Sequence, residues 1–299
     1  MLLIVQTAIE LGLLYSFVPL ALFLSYRVLD IADLTTDNCF VLGGAVSVMV
    51  TLTGHPFLGI IAGMIAGSLA GFVTAFLQTK CGISSIMAGI TTNMGLYTVN
   101  LFVMGNRSNV TLLRKETLFT KFRDLGIFGD WYEAILALIF VILVVGFLCW
   151  FIHTNLGLSI RATGNNATMV RTSSINPAGT ITIGLMISNS LTALSGALVA
   201  QYQSTIDINA SMGIVVTGLA CLIIGETVLI KKSVTLSIFG ALLGSIVYRS
   251  IYSLALYTSF VPVQALRLLT AVIVALALAA PVVKDKIAFA KKKKEVSRC

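Results

Sequence analysis

The residues of this chain that could do chemistry are few, and most of them lie inside long apolar segments. Glu10 and Arg249 are charged, and Asn93, Tyr97 and Asn189 carry amide or hydroxyl groups in otherwise apolar stretches. Burial of such groups in a membrane is costly, so they either bond to each other across helices or line a wet path for a solute. We predict that these side chains contribute to a solute path, with structural pairing, such as a Glu10–Arg249 ion pair, as the alternative.

The sequence carries no catalytic motif. It contains neither Gly-x-Ser-x-Gly nor His-Glu-x-x-His, the spacings that present a nucleophile or two zinc ligands. Gly225 and the Lys232-Ser233 pair resemble a phosphate-binding loop, but Lys231 stands where that loop requires glycine. The five cysteines are too widely spaced for a metal cluster or a disulfide framework. We therefore predict no catalytic residue, no metal site and no cofactor site in this chain.

Residues 154–176 form a polar segment between two apolar ones, and it is longer than a turn at a membrane surface requires. Gly164 is predicted to end a helical run over residues 158–163, and Asn165 or Asn166 to cap a second short helix. A long polar loop with its own helical signals favours a contact surface, with a solvated amphipathic loop as the alternative. The residues expected to make the contact are Arg161, Gly164, Asn165, Asn166, Met169 and Arg171.

The composition places the apolar segments in a lipid bilayer. Of 299 residues, 57% are hydrophobic and 11% are charged, and the mean hydropathy is +0.98. Segments of about 20 apolar residues recur, the length that a helix needs to cross about 30 Å of hydrocarbon. We predict an all-α integral membrane protein with one domain over residues 1–283 and a basic tail over 284–299. Nine spans are expected, over residues 2–25, 40–54, 57–78, 84–104, 133–153, 177–200, 212–230, 234–257 and 262–283.

Lysine and arginine near the segment ends predict the orientation in the membrane. The tail after residue 283 and the loops on its side carry thirteen basic residues, against five in the loop 105–132 on the other side. We therefore predict a cytoplasmic C-terminus and an N-terminus outside. Topology and contact with anionic lipid explain the formal charge of +8, so no nucleic-acid partner is expected.

Two sequence patterns predict how the helices pack. Glycines recur every four residues in the third and eighth segments, at Gly59, Gly63, Gly67 and Gly71 and at Gly240 and Gly244. Such faces favour close packing inside one subunit over a contact between subunits. Asp33 precedes Gly43 by ten residues and Asp207 precedes Gly218 by eleven, each before a glycine-stepped helix. In the predicted topology the two copies face opposite ways, the pattern of an inverted repeat, although two short matches can also arise by chance.

Residues 157–176 resemble the cytoplasmic coupling loop of bacterial ABC-importer permeases of the branched-chain amino acid and ribose permease family. Further segments are similar to a subgroup of that family whose members work with tryptophan- or tyrosine-type binding lipoproteins; they are residues 26–37, 42–45, 104–110, 195–203 and 218–226. One position departs from the family pattern, because Ser174 stands before Ile175 where the family usually has glycine.

The resemblance implies a type II-like importer fold and a membrane subunit that moves a small polar solute inward. An amino acid, with an aromatic one favoured, is the expected solute, and a branched-chain amino acid, a sugar or a nucleoside are the alternatives. The implied partners are two copies of an ATPase, which hold ATP and Mg and grip the coupling loops, a second permease copy, and a lipoprotein that contacts the loop 105–132 and residues 201–211. The implied location is the bacterial cytoplasmic (inner) membrane.

Two other classes of protein fit the residues without the resemblance. A secondary transporter would use Glu10 or Glu226 as a proton relay, and its uptake would collapse with the proton gradient. A membrane scaffold would support no solute flux.

Overall fold

A computed structural model describes residues 2–113, 115–124, 129–229 and 234–257, together with residues 268, 270–275 and 279. Seven of its helices are long and apolar enough to cross a membrane within these ranges, and an eighth, over residues 36–52, is shorter. The prediction of an all-α membrane protein is confirmed. Residues 268, 270–275 and 279 of the ninth predicted span are helical, but the rest of that span, the basic tail and Lys231 and Lys232 lie outside the described residues.

The helices and strands follow the predicted segments closely, with a two-stranded antiparallel sheet added. Their bounds are α1 (Leu2–Tyr15), α2 (Phe17–Leu22), a π-helical turn (Phe23–Val28), α3 (Thr36–Leu52), α4 (Pro56–Thr79), α5 (Ser85–Val103), β1 (Asn109–Thr111), α6 (Leu118–Asp124), α7 (Tyr132–His153), α8 (Asn155–Asn165), α9 (Ala167–Thr172), α10 (Pro177–Gln203), β2 (Thr205–Asp207), α11 (Ile214–Val228) and α12 (Val234–Tyr257). The strands pair in a register that sets Val110 opposite Ile206.

The second predicted span is short because α3 begins at the level of the middle of α10. The chain leaves the first span at Val28 and returns through residues 29–35, where Asp33 accepts a 2.6 Å hydrogen bond from the amide of Asn189, halfway along α10. Asp33 also accepts the backbone N–H of Thr35 at 2.9 Å, just before α3 begins. The predicted bounds of 40–54 therefore shift to 36–52.

Helix α11 has the same arrangement from the other side. After α10 the chain passes through β2 and a short 3-10 turn before α11 begins at Ile214. The N-termini of α3 and α11 meet, because the Asp37 carboxylate accepts the backbone N–H of Val215 at 2.9 Å. Broken helices whose ends meet inside the membrane are tolerated where protein or a cavity satisfies their polar groups.

The helices form two packed groups, and each group contains the helix that begins the other half of the chain. Helix α10 packs chiefly against α3 and α4, while the first span packs against α11 and α12. Glycines make these contacts close, since a Cβ on Gly63 would lie 2.8 Å from the Gly43 carbonyl oxygen and a Cβ on Gly218 would lie 2.6 Å from Leu22 Cδ1. The predicted glycine faces therefore pack inside the chain. The two halves contact their neighbours in the same pattern, which favours the predicted inverted repeat.

Candidate functional site

The polar segment 154–176 folds as two short helices, α8 and α9, separated by one extended residue. Asn166 has φ −160° and ψ 96°, and its side chain accepts the N–H of Met169 at 3.0 Å. Asn166, of the two predicted candidates, is therefore the cap of the second helix. Thr154 caps α8 by accepting the N–H of Gly157 at 3.2 Å.

Gly164 does not end the first helix, contrary to the sequence prediction. Helix α8 begins before residue 158 and continues through Gly164 to Asn165. The reason for glycine is a close approach, because a Cβ at this position would overlap the Val28 carbonyl oxygen and lie 2.9 Å from the carbonyl carbon of Leu29. Gly164 thus lets α8 lie directly on the end of the first span.

The segment has one face against the protein and one face open. Ile160, Thr163 and Val170 are buried, and the Thr163 hydroxyl lies 2.8 Å from that of Thr180 at the start of α10. The predicted contact residues divide as follows: Asn165, Asn166, Met169 and Arg171 are exposed, and Arg161 and Gly164 are half-buried. Met169 is 69% exposed. An exposed methionine between polar groups is typical of an adaptable docking surface.

The departure from the family pattern at Ser174 keeps the backbone shape that glycine favours. Ser174 has φ +61°, in the left-handed region that costs a residue with a Cβ about 1 kcal/mol or more. The turn that leads from α9 to α10 is therefore retained without the glycine.

The predicted cap can be tested with a matched pair of neighbouring asparagines. Asn166→Ala removes the acceptor for the Met169 N–H, so we expect α9 to open more readily by about 1 kcal/mol. Amide hydrogen exchange of Met169 and Val170, whose N–H groups bond to Asn166, should then accelerate roughly fivefold, since about 1.4 kcal/mol corresponds to tenfold. Asn165→Ala is the control and should leave exchange unchanged. Equal exchange in the two variants would show that Asn166 is not the cap.

A cavity of about 1040 Å³ lies beside α8. Its lining carries charges of both signs, including Arg161 of α8, Asp30 and the ion-paired side chains of Arg27 and Glu226. The pair joins the end of the first span to the end of α11, and the Glu226 side chain is 6% exposed. One polar cavity thus lies between the end of α8, the end of the first span and the end of α11.

A second group of polar side chains surrounds the start of α3, where the two broken helices meet. The backbone N–H of Asn38 donates to Asn93 Oδ1 at 3.0 Å, and the Asn38 amide donates to the Asn93 carbonyl at 2.8 Å. Asn100 donates to the Asn38 carbonyl at 3.0 Å, and the Ser211 hydroxyl donates to Asn38 Oδ1 at 3.3 Å. Asn93 therefore serves to fix α5 to α3 in this structure.

The other predicted path residues are not gathered at one place. Asn189 is fully buried and bonds to Asp33, while Tyr97 is 43% exposed on the outer surface of α5. Glu10 and Arg249 do not pair. Glu10 accepts hydrogen bonds from Gln6 at 3.0 Å and from the Tyr202 hydroxyl at 2.9 Å, and Arg249 stacks on aromatic rings instead.

Sequence reasoning missed Asp37, Asn38 and Ser211, which complete the polar cluster. Asp33 and Asp37 both precede the predicted start of the second span at residue 40. Their spacing is a signal, because they are four residues apart. Each accepts a backbone N–H at the N-terminus of a helix. Asp33 accepts that of Thr35 before α3, and Asp37 accepts that of Val215 in α11, both at 2.9 Å. No three His, Cys, Asp or Glu side chains of the described residues could hold a metal ion together.

Removing the Asn38 side chain should loosen the junction of α3, α5 and the segment before α11. Asn38→Ala deletes two hydrogen bonds made by a side chain that is 8% exposed, so we expect the free energy of unfolding to fall by about 1–3 kcal/mol. Thermal unfolding of the purified protein measures this. Thr91→Ala on the exposed side of α5 deletes only a bond within its own helix, and a loss as large as that of Asn38→Ala would refute the assignment.

Comparison with known proteins identifies the class. Residues 4–280 match the family described as the branched-chain amino acid transport system / permease component. The match covers nearly the whole chain, so this protein belongs to that family and is a multi-pass membrane permease.

Two curated relatives cover most of the chain. The first is a tyrosine transport system permease protein of Clostridioides difficile (strain R20291), 31% identical over 264 residues, which are 88% of this chain and 86% of the relative. The second is an uncharacterized protein of Rickettsia prowazekii (strain Madrid E), 32% identical over 266 residues, which are 87% of this chain and 92% of the relative. No solved structure gives a significant match.

Proposed function

We propose that this chain is the membrane subunit of a bacterial ABC importer that carries a small polar solute, an amino acid, inward. The observation that supports the proposal most is the docked pair α8 and α9. It offers exposed Met169 and Arg171 at one end of the protein, while its buried face contacts the first span and α10. A separate ATPase that held ATP and Mg could thus move the spans by gripping this pair.

The transmission would pass through close contacts and not through flexible links. Gly164 lies against Val28, and Thr163 contacts Thr180 at 2.8 Å. A shift of α8 therefore moves the end of the first span and the start of α10 together. The first span packs against α11 and α12, and α10 packs against α3 and α4. Their displacement would therefore move these two sets of helices relative to each other and so alternate access to the two faces of the membrane.

The proposed solute is an aromatic amino acid. The relative from Clostridioides difficile is named as a tyrosine transport permease and is 31% identical to this chain, which favours tyrosine or a similar amino acid. The description of the family as a branched-chain amino acid transport system makes a branched-chain amino acid the second candidate.

The proposed partners are two ATPase copies, a second permease copy and a binding lipoprotein. The two segments predicted to contact the lipoprotein lie side by side, because β1 of the loop 105–132 pairs with β2 of residues 201–211. Their adjacency supports one continuous docking area. We place the protein in the inner membrane with the N-terminus outside, so that this area faces outward and α8 and α9 face the cytoplasm.

Recovery of the native complex tests the proposal. The tagged full chain should bring down an ATPase with a phosphate-binding loop and a lipoprotein when extracted from its own membrane in mild detergent. The variant Met169→Asp places a charge on the open face of α9 and should lose the ATPase while keeping the lipoprotein. Absence of both partners from the wild-type sample would overturn the proposal.

A further inference from the structure

Arg249 is a cation in a membrane-spanning helix with no acidic partner among the described residues. Its guanidinium carbon lies 3.5 Å from the centroid of the Tyr15 ring and 5.8 Å from that of Tyr252. A charge at this depth is costly, and stacking on aromatic faces offsets that cost by about 2 kcal/mol or more where the pair is desolvated. The contacts orient the guanidinium, but they supply no negative charge from the described residues.

The same residue lines a cavity of about 370 Å³ between α1, α11, α12 and the helical residues 270–274. The volume is within the range of about 300–1,000 Å³ that small-molecule sites occupy. The cavity walls include the rings of Tyr15, Tyr248 and Tyr252. It therefore combines one guanidinium with several aromatic faces.

One further group in the wall is suited to an anion, the hydroxyl of Tyr248. The start of α11 is not such a group, because the Asp37 carboxylate already accepts the backbone N–H of Val215 there at 2.9 Å. Tyr248 is 3% exposed, and its buried hydroxyl has no hydrogen-bond partner among the described residues. Such an unsatisfied hydroxyl costs about 1–3 kcal/mol, which a ligand that accepts its hydrogen bond would recover.

We propose that this cavity binds the carboxylate of the transported amino acid. Arg249 would hold the two carboxylate oxygens with two parallel N–H donors, the Tyr248 hydroxyl would donate a further hydrogen bond, and the tyrosine rings would pack against the aromatic side chain of the solute. The assignment rests on the proposed function. Ala210 and residues 212–214 form part of the wall and follow β2 by three to seven residues, so the cavity lies next to the proposed lipoprotein-docking area.

The test uses the reconstituted importer, with permease, ATPase and lipoprotein in vesicles of phosphatidylethanolamine alone or mixed with phosphatidylglycerol. We expect Arg249→Gln to reduce uptake of radiolabelled L-tyrosine at least tenfold, while the affinity of the lipoprotein is unchanged. Arg249→Lys keeps the charge but not the two-pronged donor and should retain intermediate uptake. Lys80→Gln, which removes an exposed cation from the turn after α4, is the matched control and should transport like the wild type.

A second measurement separates ligand binding from a merely structural role of Arg249. L-tyrosine should raise the thermal unfolding midpoint of the permease–ATPase complex, whereas tyramine, which lacks the carboxylate, should not. The increase should be absent in Arg249→Gln and smaller in Arg249→Lys. Equal increases with tyramine, or wild-type uptake by Arg249→Gln, would overturn this inference and leave the proposed function intact.

Two other outcomes are distinguishable from these. No uptake of any amino acid by the wild-type importer would overturn the proposed function and this inference with it. Arg249-dependent stabilisation by phosphatidylglycerol, with none by L-tyrosine, would assign the site to a lipid phosphate and overturn the carboxylate assignment alone.

Discussion

Gly164→Val should abolish coupling between the ATPase and the permease while leaving the spans inserted. A side chain at this position overlaps the Val28 carbonyl, so α8 must move away from the first span. Overpacking of this kind costs about 1–3 kcal/mol or more. Because about 1.4 kcal/mol corresponds to tenfold in an equilibrium, we expect ATP-driven uptake to fall at least ~10-fold.

The matched control is Gly146→Val. Gly146 lies on the exposed side of α7, and no atom lies within 4 Å of the position of its Cβ. This variant should transport like the wild type. Wild-type uptake and complex formation by Gly164→Val would refute the role of the segment 154–176 in coupling.

Gly196→Leu should have the largest effect on folding. Gly196 lies in α10 where a Cβ would overlap the Phe40 carbonyl oxygen of α3. Backbone atoms cannot move away as a flexible side chain can, so α10 and α3 must separate. We expect the free energy of unfolding to fall by about 3 kcal/mol or more, with a corresponding loss of monodisperse protein in detergent.

Gly95→Leu serves as the control for that variant. Gly95 is an exposed position of α5, and its Cβ would meet no atom within 4 Å. Leucine has the higher helix propensity, so this variant should be at least as stable as the wild type. Equal thermal unfolding midpoints for the two variants would show that the α3–α10 contact does not limit stability.

The apolar segments were predictable because a membrane requires a long run of apolar residues for every crossing helix. The bounds of α7 differ by one residue from those predicted, 132–153 against 133–153. The start of α3 was not predictable in this way. Its polar cluster is satisfied by Asn93 and Ser211, which are far away in sequence, so only the fold reveals that a helix can begin there.

The polar segment 154–176 shows the same limit at Gly164. Glycine has two common uses, a helix end and a close approach of two backbones, and local sequence favours the first. The second depends on Val28, more than a hundred residues earlier. The cap at Asn166 is a local interaction, with Met169 three residues away. The sequence therefore restricted the capping residue to Asn165 or Asn166.

Polar residues within spans were the hardest to interpret. Asn93, Asn189 and Glu10 have partners on distant segments of the chain, whereas Arg249 lines a cavity. The four residues look equivalent in sequence because each is a polar group in an apolar stretch. Their roles separate only when the neighbouring helices are known.

The energy source of transport tests the central claim most directly. Vesicles that contain the permease, its ATPase and the lipoprotein, loaded with ATP on the ATPase side, should take up L-tyrosine in the presence of a protonophore and should stop when ATP is omitted. Uptake that needs no ATPase and collapses when the protonophore is added would contradict the account and favour a proton-coupled transporter.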